Sequence, residues 1–339
     1  MQIIKKIITI VCAGITSLII LCGIFSFYDL MPVHITSKLG NTDYVWPKNS
    51  VWIKMTEGMS WGKCDSQGFN NLNTIENPDI LILGSSHMEA TNVMQDENLG
   101  YLLNKKFRNT YSVYNMGISG HTFEKILQYL PKTLELFKKE PKFILIETSS
   151  INLDEKTVDD IFENNIEFTL SYDKGIIAKV QKLPFFRLMY HQLKNGMINL
   201  LFPSQRNVVV VSEKKVSLYT VNLHGDVQQY DRIFSYLVEL EKKYNTRFII
   251  FYHPSETLQE DGSVIFSQDR DLEIFKNKCK EYNIKFLDMT QPFYEMYRVE
   301  HKLPHGFITG EIGTGHINAD GHYIISEELY KLITKEKVR

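Results

Sequence analysis

A chain of 339 residues with 43% hydrophobic and 23% charged residues has the composition of a globular protein, and it is long enough for one large domain or two small ones. Its formal net charge of −2 gives no electrostatic reason to bind nucleic acid, and no segment combines clustered lysine and arginine with interleaved aromatic residues. These properties exclude a disordered chain and argue against a nucleic-acid partner.

The first distinctive segment is an uncharged run over residues 7–27. About twenty apolar residues are what a helix needs to cross a bilayer. Lys5 and Lys6 precede the run and Asp29 follows it, so the N-terminus is expected to be cytoplasmic and the rest extracytoplasmic. A cleaved signal peptide, the alternative, would have a shorter apolar run and a small-x-small site, which does not follow Gly23. We predict a cytoplasmic tip and a single-pass cell-membrane anchor over residues 1–28.

The cysteines give little support for a disulfide framework. Cys12 and Cys22 lie inside the apolar run, which leaves Cys64 and Cys279 for the exported part. A disulfide between these two and a pair of free buried thiols are both compatible with the sequence. No CxxC or HxxxH spacing indicates a metal site, and we predict neither a metal nor a cofactor.

The rest of the sequence divides into two parts that differ in composition and hydrophobic pattern. Residues 29–76 are polar and turn-rich but contain all three tryptophans, which favours a stalk that packs on the domain. From residue 77 onward, short apolar runs alternate with helical patterns. The predicted strands are residues 79–83, 112–115, 143–146, 247–252 and 283–287. The predicted helices are residues 122–140, with a kink at Pro131, then about 230–240, 271–282 and 321–335.

This alternation predicts an α/β fold, a three-layer α/β/α sandwich around a mostly parallel five-stranded sheet. Residues 77–339 would form this domain. The stretch 152–226 breaks the alternation and is too long for a loop in a compact domain, so we predict an inserted cap there.

Ligands of open parallel sheets bind beyond the carboxyl ends of the strands, and those ends carry the informative residues. Gly84-Ser85-Ser86 follows the first predicted strand, and Asn115 to Gly120 follows the second. The loop after the fifth strand leads to Gly315-His316-Ile317-Asn318. Four of the five strand ends carry hydroxyls, imidazoles or glycines, which packing alone does not explain.

These three blocks, in this order, resemble those of the SGNH (GDSL-like) hydrolases, a flavodoxin-like α/β/α family, and the resemblance covers roughly residues 78–335. It implies that Ser86 is the nucleophile and His316 the catalytic base. It also implies that Gly120, or alternatively Gly117, is an oxyanion donor. These roles agree with the chemistry, since a serine hydroxyl needs a base to take its proton, and a histidine does so near neutral pH.

Two positions depart from the family pattern. Its third block offers an asparagine to the oxyanion, whereas this chain has Thr148-Ser149-Ser150 there, so the third donor is Asn152 or is absent. The family's aspartate lies three residues before the histidine, but that position is Gly313. Glu311 or Asp288 would then orient the imidazole, unless the enzyme works as a Ser-His dyad.

The expected function is that of an extracytoplasmic serine esterase acting on acyl esters, in particular acetyl esters, of a cell-envelope glycan. One alternative is an O-acyltransferase that modifies surface polysaccharide, since a sugar hydroxyl and water compete for the same acyl-enzyme. Another is a degenerate SGNH module that only binds glycan. The expected partners are the acylated glycan and the membrane; the sequence identifies no protein partner.

Overall fold

The computed structural model describes residues 2–26, 35–36, 45–46, 48–54, 57–108, 110–151, 153, 155–163, 171–172, 227–259, 261–267, 269–310 and 312–336. The chain divides into two compact units, Met1–Asp29 with Asp173–His224, and Leu30–Tyr172 with Gly225–Arg339. In the first unit, the described residues form helix α1 (Gln2–Ser26). Its segment Gln2–Leu21 is long and apolar enough to cross a membrane, a property that signal sequences share. The cap expected at 152–226 lies largely outside the described residues.

The second unit contains the described strands and the remaining described helices. The strands are β1 (Ile35–Thr36), β2 (Val51–Lys54), β3 (Ser60–Lys63), β4 (Ile80–Gly84), β5 (Val113–Gly117), β6 (Phe143–Thr148), β7 (Ser171–Tyr172), β8 (Arg247–Tyr252), β9 (Glu256–Leu258), β10 (Val264–Phe266), β11 (Lys285–Asp288), β12 (His305–Gly306) and β13 (Ile312–Ile317). The helices are α2 (Ser86–Glu89), α3 (Leu99–Phe107), α4 (Phe123–Leu134), α5 (Glu155–Glu163), α6 (Val227–Tyr244), α7 (Leu272–Glu281), α8 (Thr290–Glu300) and α9 (Ala319–Glu336).

Five parallel strands form the central sheet, in the order β11-β8-β6-β4-β5. The apolar runs in β4, β6 and β8 are explained by burial on both faces, whereas the edge strand β11 is only partly buried. Leu81 and Leu83 of β4 pack into one hydrophobic cluster with α4, α6 and α7, whereas Ile80 and Ile82 pack into a second cluster with α3, α8 and α9. This arrangement confirms the predicted three-layer α/β fold with a mostly parallel five-stranded sheet.

One predicted helix is longer than the observed one. The apolar spacing extends to residue 140, but α4 ends at Leu134, shortly after Pro131. Leu136 and Phe137 donate their N–H groups to carbonyls three residues back, so the chain tightens there and leaves the α-helical path. Phe137 still packs against the core, which explains why its spacing resembles that of a helix.

The segment predicted as a stalk contains an antiparallel hairpin of β2 and β3. Trp52 is buried with Trp46 and Cys64 in a small cluster of its own, and Asp65 accepts three backbone N–H bonds in the turn that follows. Cys64 lies in this cluster and Cys279 in the main core, and both thiols are free. Because burial raises the pKa of Cys64 to about 12, its thiol stays protonated.

Candidate active site

The carboxyl end of β4 leads directly into a tight turn that presents Ser86. Ser85 caps the short helix α2, its hydroxyl accepting the His87 N–H at 3.2 Å, and Ser86 is the first residue of that helix. β4 lies between β5 and β6, where the strand order of the sheet changes direction. Ser86 therefore lies in the crevice where open α/β sheets bind ligands.

His316 reaches Ser86 from a distant part of the chain. It lies near the end of β13, and its Nε2 is 2.9 Å from Ser86 Oγ, although 230 positions separate the two residues. This is the distance at which an imidazole can take the hydroxyl proton. Ser86 and His316, the residues predicted as nucleophile and base, are thus within hydrogen-bond distance of each other.

The other side of the imidazole is held by Glu57, a residue that no sequence motif indicates. Glu57 Oε2 lies 2.8 Å from His316 Nδ1, and Glu57 Oε1 accepts the His316 backbone N–H, also at 2.8 Å. One carboxylate therefore fixes both the ring and the backbone of His316. With Nδ1–H donated to the carboxylate, Nε2 has its lone pair free to accept the Ser86 proton.

The electrostatics of Glu57 suit a carboxylate that holds the His316 ring with its proton on Nδ1. Burial alone would raise its pKa, but hydrogen bonds from the backbone and ring of His316, together with the nearby Lys54 charge, lower it below its ordinary value. The side chains of Glu57 and His316 are only 28% and 26% exposed. An ionised, partly shielded carboxylate stabilises the imidazolium that forms when His316 takes a proton.

Glu57 lies at the tip of the β2–β3 hairpin, which is fixed against the domain at two points. Its backbone carbonyl accepts the Asn92 side-chain amide at 2.9 Å, and the Gly58 N–H donates to the Thr309 hydroxyl at 2.9 Å. Gly315 makes the approach possible, because a Cβ at that position would overlap Glu57 Oε1, and its φ of +83° favours glycine.

The structure does not place Asp288 next to His316. Its Oδ1 accepts the N–H and hydroxyl of Thr290 at 2.9 and 2.6 Å, while Oδ2 pairs with Lys276 at 2.7 Å. Burial raises the pKa of Asp288, but Lys276 and Thr290 outweigh it and lower the pKa overall. Asp288 therefore has a structural role at the start of α8. The other candidate carboxylate, Glu311, lies outside the described residues.

The oxyanion candidates differ in availability. The Gly117 N–H donates to Asn115 Oδ1 at 3.0 Å, within a buried segment packed on α2. Gly120 is exposed, has a φ of +81°, and has no atom within 4 Å of the position of a Cβ. The backbone at Gly120 therefore borders open space, whereas the Gly117 amide is already occupied. Asn152 lies outside the described residues.

A second glutamate that the sequence analysis missed holds the loop before Gly120. Glu89 at the end of α2 accepts the Trp46 indole N–H at 3.0 Å and the Ser119 backbone N–H. Burial raises the pKa of Glu89 to about 7, partly opposed by the Lys54 charge and these hydrogen bonds. Glu89 thus ties the loop that carries Gly120 to the helix that begins with Ser86.

Comparisons with known proteins add little to this geometry. No protein-family model matches the chain, and no curated protein matches it significantly. Among solved structures, it aligns with an acetyl xylan esterase at 11% identity (75% of this chain, 99% of the other, TM-score 0.39). It also aligns with an alpha/beta hydrolase from the metagenome of Lake Arreo, Spain, at 13% identity (76% and 94%, TM-score 0.39). An acetylxylan esterase of Geobacillus stearothermophilus aligns at 14% identity (76% and 94%, TM-score 0.38). Likenesses this low carry no weight for function.

Proposed function

We propose that this protein is a serine esterase that cleaves acyl esters through Ser86, His316 and Glu57. The observation that carries the proposal is the continuous line of hydrogen bonds from Glu57 through His316 to Ser86, with distances of 2.8 and 2.9 Å. A nucleophile, a base and an orienting carboxylate in that order are what acyl transfer through a serine requires.

In the first half-reaction, Ser86 Oγ attacks the ester carbonyl as His316 Nε2 takes its proton. Glu57 stabilises the resulting imidazolium. The tetrahedral intermediate collapses when His316 gives that proton to the departing alcohol, which leaves an acyl group on Ser86. In the second half-reaction His316 deprotonates water, which attacks the acyl carbon. The second tetrahedral intermediate then collapses as His316 returns that proton to Ser86 Oγ, and the acid is released.

Two backbone N–H groups are proposed to stabilise the oxyanion. Ser86 is in the first turn of α2, where helix N–H groups lack acceptors within the helix. Gly120 supplies the second donor from the loop that Glu89 holds. Donors already in place when negative charge develops on the carbonyl oxygen lower the barrier, because they need no reorganisation during the reaction.

The proposed substrate is an acyl ester, in particular an acetyl ester, on a cell-envelope glycan. Two features support it: the resemblance of the strand-end blocks to SGNH hydrolases, and α1, which as an uncleaved anchor would keep the domain at the outer face of the membrane. Exposure at Gly120 is compatible with a polymeric substrate.

An O-acyltransferase would use the same acyl-enzyme and differ only in that a sugar hydroxyl replaces water in the second half-reaction. A glycan-binding module without catalysis is a weaker alternative. Its main support is the loss of both the third-block asparagine and the aspartate before His316, and Glu57 supplies a carboxylate at the ring nitrogen that this aspartate would contact.

The test is labelling of the full-length protein in membranes with a fluorophosphonate, which reacts only with an activated serine. We expect labelling of the wild type and of Ser150→Ala, a control serine on the same edge of the sheet, but not of Ser86→Ala. An unlabelled wild type, or equal labelling of Ser86→Ala, would refute the proposal. Incubating labelling-competent protein with an acetylated glycan and measuring acetate release then separates hydrolysis from transfer to a second sugar.

A further inference from the structure

Beneath the nucleophile turn lies a chain of four buried, titratable side chains that the triad does not include. Glu147 Oε1 is 2.7 Å from His253 Nε2, His253 Nδ1 is 3.2 Å from His305 Nε2, and His305 Nδ1 is 2.6 Å from Glu256 Oε2. These four side chains, joined by hydrogen bonds, form the Glu147–Glu256 chain, and none of them is more than 3% exposed. Solvent therefore does not satisfy these groups, and they depend on one another.

Both ends of the Glu147–Glu256 chain are tied to the segments that hold Ser86 and His316. Glu147 Oε2 accepts the N–H of Ser85, the residue before the nucleophile, at 2.7 Å. At the other end, Glu256 accepts the ring and backbone N–H of His305, which pairs with Ile317, the residue after the base, in the β12–β13 register. The chain thus connects the two segments whose separation sets the Ser86–His316 distance.

The contacts fix the number of protons that the chain holds. Three hydrogen bonds join its four groups, and each needs one proton between its two heavy atoms. Both carboxylates also accept a backbone N–H, from Ser85 to Glu147 and from His305 to Glu256 (3.0 Å), which favours their ionised forms. The two imidazoles must then hold three ring protons, so one is neutral and the other is an imidazolium.

The surroundings limit the two imidazoles to a single shared charge. Burial, and then the neighbouring His305, lower the pKa of His253 well below its ordinary value, which disfavours a second imidazolium. Other imidazoles also face the chain: His87 lies 4.6 Å from His253 and 5.8 Å from His305 between ring centroids, and 5.2 Å from His316. Burial lowers the pKa of His87 well below its ordinary value and that of His322 to about 3, so both stay neutral.

We propose that Glu147, His253, His305 and Glu256 form a proton-sharing positioning chain, with one imidazolium charge held by the His253–His305 pair, that holds the Ser86 turn and the His316 strand at their working separation. His253 donates to Glu147, His305 donates to Glu256, and the third ring proton lies between the two imidazoles. The catalytic consequence rests on the proposed esterase function, whereas the proton arrangement does not.

Glutamine variants at the two ends provide a sharp test because they preserve every hydrogen bond. In Glu147→Gln, the amide oxygen accepts the Ser85 N–H and the amide nitrogen donates to His253, so both imidazoles become neutral with the proton on Nδ1. In Glu256→Gln, the amide donates to His305 Nδ1, and both imidazoles become neutral with the proton on Nε2. The four side chains together carry a net charge of −1 in the wild type and in both glutamine variants, since each variant loses one carboxylate charge and one imidazolium charge.

The measurement is ¹⁵N NMR of the full-length, detergent-solubilised protein with labelled histidine. We expect one buried imidazole protonated at both nitrogens in the wild type, which is absent in each glutamine variant, with opposite tautomers in the two. Glu241→Gln is the matched control, because Glu241 also accepts a strand N–H, from Phe248 at 2.8 Å, and contacts no ring of the chain. Its histidine signals should match those of the wild type.

Kinetics on an activated acyl ester then test the positioning. Glu147→Ala leaves the Ser85 N–H and His253 without their acceptor, and we expect kcat to fall about ten- to a hundredfold with KM nearly unchanged. Glu147→Gln should recover most of that loss.

An imidazolium signal that persists in both glutamine variants, or two neutral imidazoles in the wild type, would overturn the proton arrangement. Equal kcat in Glu147→Ala and the wild type would overturn the positioning role. A wild type that shows the imidazolium but no fluorophosphonate labelling would instead reject the esterase function alone.

Discussion

Replacing Glu57 with glutamine should damage catalysis more than replacing it with alanine. In Glu57→Gln the amide oxygen can still accept the His316 backbone N–H, which leaves the amide nitrogen facing Nδ1. An N–H facing Nδ1 forces the imidazole proton onto Nε2, where it points at Ser86 Oγ. The base is then blocked in the wrong tautomer. The corresponding acid-to-amide change in a well-studied catalytic triad lowers kcat about 10⁴-fold.

Glu57→Ala imposes no tautomer. His316 is 26% exposed, so water can replace the lost acceptor at Nδ1. The loss is then about one charge-assisted hydrogen bond to the imidazolium, about 1.5–3 kcal/mol, or roughly 10- to 150-fold in kcat. We therefore expect the order wild type, alanine, glutamine, with the glutamine variant slowest.

The assay is kcat for a nitrophenyl acetate in full-length protein, with circular dichroism to check folding. Asp288→Asn is the matched control: it changes a carboxylate of similar exposure that bonds Lys276 and Thr290 instead of His316, and it should alter kcat no more than a few-fold. A glutamine variant as active as the wild type, or clearly faster than the alanine variant, would show that Glu57 does not set the tautomer.

Three further outcomes are expected. Ser86→Ala, His316→Ala and the double variant should lose similar amounts of kcat, because the two residues act as a unit; additive losses would contradict this. Gly315→Ala should displace Glu57 and lower kcat, whereas Gly262→Ala, with a φ of +81° and open space, should cause similar backbone strain without affecting kcat; equal activities would contradict the steric argument. For Asp79, burial raises the pKa, but the Ser112 and Lys142 contacts lower it below the ordinary 3.8, so its stabilisation is present above that pH and is lost as the pH falls through the lowered value. Urea unfolding of Asp79→Asn should therefore differ from the wild type at pH 7 and converge with it at acid pH; a pH-independent difference would refute this.

The sheet was predictable because its inner strands are buried on both faces and bounded by glycine or polar residues. The predicted ranges 143–146 and 247–252 agree with β6 and β8 within two residues. Ser86 and His316 could be predicted for a related reason, since both belong to short motifs near the ends of strands. In each case a local pattern carries the information.

Glu57 could not be found in the same way, because its contact with His316 joins residues 259 positions apart. The family pattern directed the search to residues near the histidine, whereas the carboxylate comes from a hairpin upstream of the sheet. The available signal was weak: Glu57-Gly58 lies between two strand-forming runs, a pattern typical of a hairpin turn. The buried contacts of His253 and His305 are also long-range: His253 directly follows the fourth predicted strand, but nothing in the sequence pairs it with His305.

The origin of Glu57 in the β2–β3 hairpin has a practical consequence for how the protein is divided. A fragment that begins at residue 77 would keep all five strands of the central sheet together with Ser86 and His316. It would lack the orienting carboxylate, along with the aromatic cluster that packs the hairpin. Under the proposed mechanism, such a fragment would give a false negative in activity screens. Shortened versions of the protein should therefore begin between α1 and β1, so that the apolar helix is removed and the hairpin that carries Glu57 is retained.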